Sequence, residues 1–162
     1  MPVDIKNIKM SQLSCLIGEL LERDSLVRVT VTGNSMYPFL RHGIDSVLLA
    51  KRWARTKKGD IVLTRRDDGN YVLHRVMKIK GGSFFIMGDS QDRPEGPLDM
   101  GQIAAVVVKV YRKGREISCT SLPWRMLSRI WTAVIPLRRS IIRGYLTAAG
   151  IRSAIRKKRK AG

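Results

Sequence analysis

The chain has 162 residues, 44% of them apolar, and a formal net charge of +18. That suffices for one modest domain with a buried core and excludes a globally disordered chain. The charge is uneven. Residues 109–162 hold fifteen Lys and Arg against the single acid Glu116, whereas residues 1–108 hold sixteen against twelve acids. The front therefore has an ordinary globular composition, and the back is a cationic segment that seeks anions. Cys15 and Cys119 stand far apart without metal-ligand spacing, as expected of buried thiols in a reducing compartment. The polar first ten residues do not read as a signal peptide, and no run approaches the roughly 18 apolar residues of a membrane span. The expectation is a cytoplasmic protein, peripheral on the inner membrane face if attached at all.

Residues 11–23 read as a short helix, because Leu13, Leu16, Ile17, Leu20 and Leu21 recur at helical spacing opposite Glu19, Glu22 and Arg23. The period then changes. Val27, Val29 and Val31 alternate with Arg28, Thr30 and Thr32, which predicts a half-buried strand ended by Gly33-Asn34. Further strands are expected over 46–50, 60–64, 70–79, 83–87 and 103–111. Turn signals separate them, among them Asp68-Gly69, a strong hairpin signal, and Gly81-Gly82. After Pro123 the pattern becomes helical: Trp124, Leu127, Ile130, Trp131 and Val134 share a face, and Pro136 should stop or kink the helix. A second stretch groups Leu137, Ile141, Tyr145 and Leu146 among arginines.

This pattern predicts a mainly β protein. The sheet would be a small barrel or a folded sheet, with a short N-terminal helix and a basic amphipathic helical tail. The expected divisions are a helical segment over 1–25, a core over 26–118 and the tail over 119–162.

Three places could carry chemistry. Ser35, in Gly33-Asn34-Ser35-Met36-Tyr37-Pro38, follows a strand end, where a hydroxyl can face a cleft and backbone N–H groups are free for an oxyanion. His74, in the strand Tyr71-Val72-Leu73-His74-Arg75-Val76, shares a face with Val72 and Val76. Imidazole is the side chain whose ordinary pKa, about 6.5, suits proton transfer near neutrality. Asp89 and Asp92, in Met87-Gly88-Asp89-Ser90-Gln91-Asp92, could cap their own turn or orient the imidazole. A turn serine, a structural histidine or a capping aspartate would each be unremarkable alone.

Their order is more specific. Ser-Met-x-Pro, a Gly-Asp-Ile-Val strand start at Gly59, His-Arg-Val at His74 and Gly-Asp-Ser-x-Asp at Gly88 resemble the successive boxes of the type I signal peptidase family. That family is allied to the LexA-like serine peptidases of the S24–S26 group. The resemblance spans residues 29–110 and implies a compact β-rich peptidase with Ser35 as nucleophile. His74 stands where bacterial signal peptidases and LexA-like enzymes place a lysine base and another branch places a histidine. Asp89 or Asp92 would assist it, and Asn34, Met36, Pro38 and Asp60 would line the oxyanion and substrate cleft. The resemblance also implies a peptide or protein precursor as substrate, small residues beside the cut, and no metal or organic cofactor.

The sequence departs from the family pattern at Gly33, where signal peptidases commonly carry a hydroxyl residue that helps the oxyanion. His42 precedes Gly43 and reads as a solvated loop residue. Two readings of the tail stand side by side: a face packed on the core, or an interfacial helix pair on anionic lipid. Nucleic-acid binding is disfavoured, because no helix-turn-helix, zinc finger or aromatic-basic sheet is visible. The rival functions are an inactive binding module and a self-cleaving LexA-like regulator.

Overall fold

A computed structural model of the chain describes residues 3–5, 26–51, 56–134 and 144. Their strands, in chain order, are β1 (Val3–Ile5), β2 (Val27–Thr30), β3 (Ser46–Lys51), β4 (Ile61–Arg65), β5 (Tyr71–Lys80), β6 (Ser83–Met87), β7 (Glu95–Asp99), β8 (Ile103–Arg112) and β9 (Arg115–Ser118). One helix, α1 (Leu122–Ala133), follows them. The helix expected over 11–23, and Leu137, Ile141, Tyr145 and Leu146 of the tail, lie outside the described residues.

The protein is mainly β. Its strands form a single sheet in the order β1-β2-β3-β8-β4-β5-β6-β7, with β9 hairpinned onto β8. All pairings are antiparallel except β1 with β2. β1 and β7 are not paired to each other, so the sheet is folded and open rather than a closed barrel. The six strands expected between 27 and 111 all form, within a few residues of their expected ends.

Three strands escape the periodicity. β1 is three residues long and pairs in parallel with β2. β9 follows Lys113 and Gly114, both at positive φ, as a tight two-residue hairpin turn requires. β7 contains Gly96 and Pro97, which punctuate sequence patterns, but Pro is tolerated on an edge strand such as this one.

Strands β4 and β5 are buried on both faces. One core gathers Val27, Val29, Met36, Phe39, Leu40, Leu63, Leu73, Val107 and Trp131. The second lies around Val62, Val76, Phe84, Ile86 and Ile103. Because side chains alternate along a strand, β5 sends Leu73 to the first core and Val76 to the second. The expected sharing of a face by Val72, His74 and Val76 follows from the same alternation.

The helix α1 caps the first core. Trp131 and Trp124 both pack on Phe39, with ring centroids 5.4 and 5.7 Å away. Ser128 and Thr132 are buried beside them. This first part of the tail thus follows the packed reading on one side of the helix.

Candidate active site

Ser35 sits in the turn between β2 and β3. The chain leaves β2 at Thr30, and Gly33 takes a φ of +82°, a left-handed conformation natural to glycine. The far end of this loop is pinned by Asp45, which is fully buried. Its carboxylate accepts hydrogen bonds from the Arg41 backbone and guanidinium and from Arg112 of β8. Arg112 also donates to the Pro38 and Phe39 carbonyls. Burial alone would raise the Asp45 carboxyl, but the Arg41 hydrogen bonds and the Arg112 charge outweigh it and hold it below the ordinary value.

A second clamp comes from the turn after β6. The Ser90 N–H donates to the Ser35 carbonyl at 2.8 Å, and the Ser90 hydroxyl donates to the Asn34 and Ser35 carbonyls at 3.0 Å each. Gly88 makes this approach feasible, since a Cβ there would lie 2.6 Å from the Ser35 carbonyl oxygen. The Gly33 N–H donates to His42 Nδ1 at 2.9 Å. His42 is exposed, as expected of a loop residue, and it also fastens the start of the turn that carries Ser35.

Ser35 and His74 line one open cleft of about 180 Å³, together with Val31, Thr32, Met36, Tyr71, Val72 and Leu73. His74 is 4% exposed. Its Nδ1 is buried without a hydrogen-bond partner among the described residues. Burial pushes the imidazole below its ordinary pKa; the Glu95 carboxylate opposes this, Arg66 adds to it, and Asp89 opposes it more weakly.

Asp89, one of the two acids expected beside His74, is engaged elsewhere. Its two carboxylate oxygens accept from Arg75 Nε and Nη2 at 2.8 and 2.7 Å, and both side chains are fully buried. Arg75 also donates to the Gly59 carbonyl and to the Ser128 hydroxyl of α1, and its guanidinium stacks 4.5 Å from the Phe39 ring centre. The physical reason is alternation: Arg75 points away from the His74 face, and a buried guanidinium needs a carboxylate more strongly than a neutral imidazole does. Asp92 is exposed in the same turn.

The acid whose charge bears most on His74 is Glu95, which sequence reasoning missed. β7 brings it there. Glu95 pairs with Ile86, and Ile86 with Val76, which shares the His74 face two residues on. Glu95 forms a two-pronged ion pair with Arg66, at 2.7 and 2.5 Å. Arg66 stands at the Asn70 end of the β4–β5 ladder, so the ion pair spans the face that carries Val72, His74 and Val76. The signal was hidden because Pro94-Glu95-Gly96-Pro97 reads as a turn.

The expected cleft residues divide. Met36 lines the cleft while rooted in the core. The Asn34 carbonyl holds the turn and Pro38 offers its carbonyl to Arg112, so both serve as scaffold and neither lines the cleft. Asp60 does not reach it either. It meets β5 at Val76, beyond His74, and lines a separate hollow with Lys57, Trp124, Arg125 and Ser128.

Ser35 and His74 thus share a cleft on the folded sheet. The Peptidase S24-like family matches residues 6–110, close to two thirds of the chain, and the protein belongs to that family. No curated protein matches the chain. No helix among the described residues is long and apolar enough to cross a membrane.

Proposed function

We propose that the protein is a serine endopeptidase of signal-peptidase-like chemistry that cuts a peptide or protein precursor, with Ser35 as nucleophile and His74 as base. The observation that carries this reading is the shared cleft of Ser35 and His74, in which burial favours the neutral form of the imidazole. His74 takes the Ser35 proton as Oγ attacks the scissile carbonyl carbon. The imidazolium then gives that proton to the departing amine, leaving an acyl-serine ester. Water, deprotonated by His74, attacks the ester and releases the acid product and free Ser35.

Glu95 stabilises the imidazolium formed in both steps, since its carboxylate favours the protonated ring. The turn offers donors to the oxyanion. The Asn34, Ser35 and Met36 N–H groups make no hydrogen bond among the described residues, whereas those of Gly33 and Tyr37 are already engaged. The cleft is small and walled by Val31, Met36, Val72 and Leu73, which suits small apolar side chains beside the cut.

The test is cleavage of a diverse peptide mixture, read by mass spectrometry, with wild type, Ser35→Ala and His74→Ala. The expected result is cuts by the wild type alone, with both variants down by roughly 10³-fold or more. Failure of the folded wild type to cut any peptide or precursor would return the scaffold to the binding-module reading.

A further inference from the structure

We propose that the outward face of α1, together with Lys57 and Lys58, is a docking surface for an anionic lipid bilayer. The helix is apolar on two opposite sides. Its inward side buries Trp131, Ser128 and Thr132 against the sheet. Its outward side presents Leu122, Met126 and Ile130, which are 73%, 61% and 58% exposed. Spaced four residues apart, they form one ridge along the helix, with Leu127 exposed beside them. A helix that had only to cap the core would need one apolar face, and an exposed apolar ridge of this length marks a contact surface.

Charge complementarity identifies the partner. Arg125 and Arg129 flank the ridge, and Lys57, Lys58, Arg129 and Thr132 line an open hollow of about 410 Å³ between α1 and the approach to β4. The acid in the adjoining hollow, Asp60, accepts the Lys57 N–H at 2.7 Å. Beyond Val134, residues 135–162 hold nine Lys and Arg and no acid. A sugar-phosphate backbone would be served by the cations but would leave Leu122, Met126 and Ile130 without use. An anionic bilayer takes both: apolar side chains enter the acyl boundary, and Lys and Arg meet the head-group phosphates.

Docking there also sets the orientation of the cleft. The Ser128 hydroxyl donates to the Gly59 carbonyl and accepts from Arg75, the residue next to His74. α1 is therefore fastened directly to the strand that carries the proposed base.

The surface is tested by flotation of the full chain with vesicles of phosphatidylcholine alone or mixed with phosphatidylglycerol. The variant is Met126→Glu/Ile130→Glu, with Met126→Gln/Ile130→Gln as a milder second, each checked for an unchanged circular dichroism spectrum. Wild type should float with the mixed vesicles only. The Glu variant should lose about tenfold or more in partitioning and the Gln variant a smaller part, because charged side chains are costly at the acyl boundary. Unchanged partitioning of both variants would assign binding to the distal tail alone and overturn the proposal. Three further results would also overturn it: wild type that ignores mixed vesicles, duplex DNA bound with the same sensitivity to the variants, or a lipid-free dimer that the variants break.

Discussion

His74 can act as a base only while neutral, and its surroundings decide over which pH range that holds. Burial lowers its pKa, Glu95 raises it and Arg66 lowers it. The acid limb of the cleavage profile should therefore fall below the ordinary histidine value of about 6.5. Glu95→Gln removes the raising influence and should move that limb to still lower pH while slowing turnover, because the imidazolium is less favoured. Arg66→Gln should move it upward. A pH series of kcat/KM for the three proteins checks both signs. The same depression has a stability consequence: as pH falls below the unfolded value, the unfolded chain takes a proton that the folded ring resists, so stability declines there. Ser35 and His74 were legible in the sequence because each sits in a short recognisable box. Glu95 was not, since its approach to His74 depends on a strand whose Gly and Pro read as a turn. Cys119, expected to be a buried thiol, is half-buried against the first core, and desolvation there pushes its pKa up to about 12, which makes it a poor nucleophile.

At the scale of elements, Asp89 and Glu95 divide the work of the acids. Asp89 joins the turn after β6 to Arg75 of β5, and Ser128 of α1 completes the same buried network. Asp89→Asn leaves the Arg75 charge uncompensated in the core and should cost about 3–5 kcal/mol. Glu95 and Arg66 are partly exposed, so Glu95→Gln should cost no more than about 1 kcal/mol. Urea unfolding of the two variants measures the contrast; similar losses would mean that their roles are not divided in this way. The strands with clean alternation were legible, as was the Asp68-Gly69 hairpin that joins β4 to β5. The buried ion pair was not, because Arg75 looks like any outward-facing strand residue until α1 and Phe39 close over it.

Across the whole molecule, the cationic excess lies toward the C-terminal end of the chain, while the proposed chemistry lies on the folded sheet. The composition made that asymmetry legible. It did not reveal that α1 is apolar on both sides, since a helical repeat gives the spacing of a face but not which element covers it. The turn after β6 holds the Asn34 and Ser35 carbonyls through Ser90, and the Asp45–Arg112 clamp fixes the far end of the same loop at Pro38 and Phe39. The proposal built on this held turn is that Ser35 is the nucleophile and His74 its base. The most direct measurement is to quench the protein in acid during turnover of an activated peptide ester and map the adduct by mass spectrometry. The account predicts an acyl group on the peptide containing Ser35, absent from Ser35→Ala and strongly reduced in His74→Ala. An adduct on another residue, or turnover that survives Ser35→Ala, would contradict it.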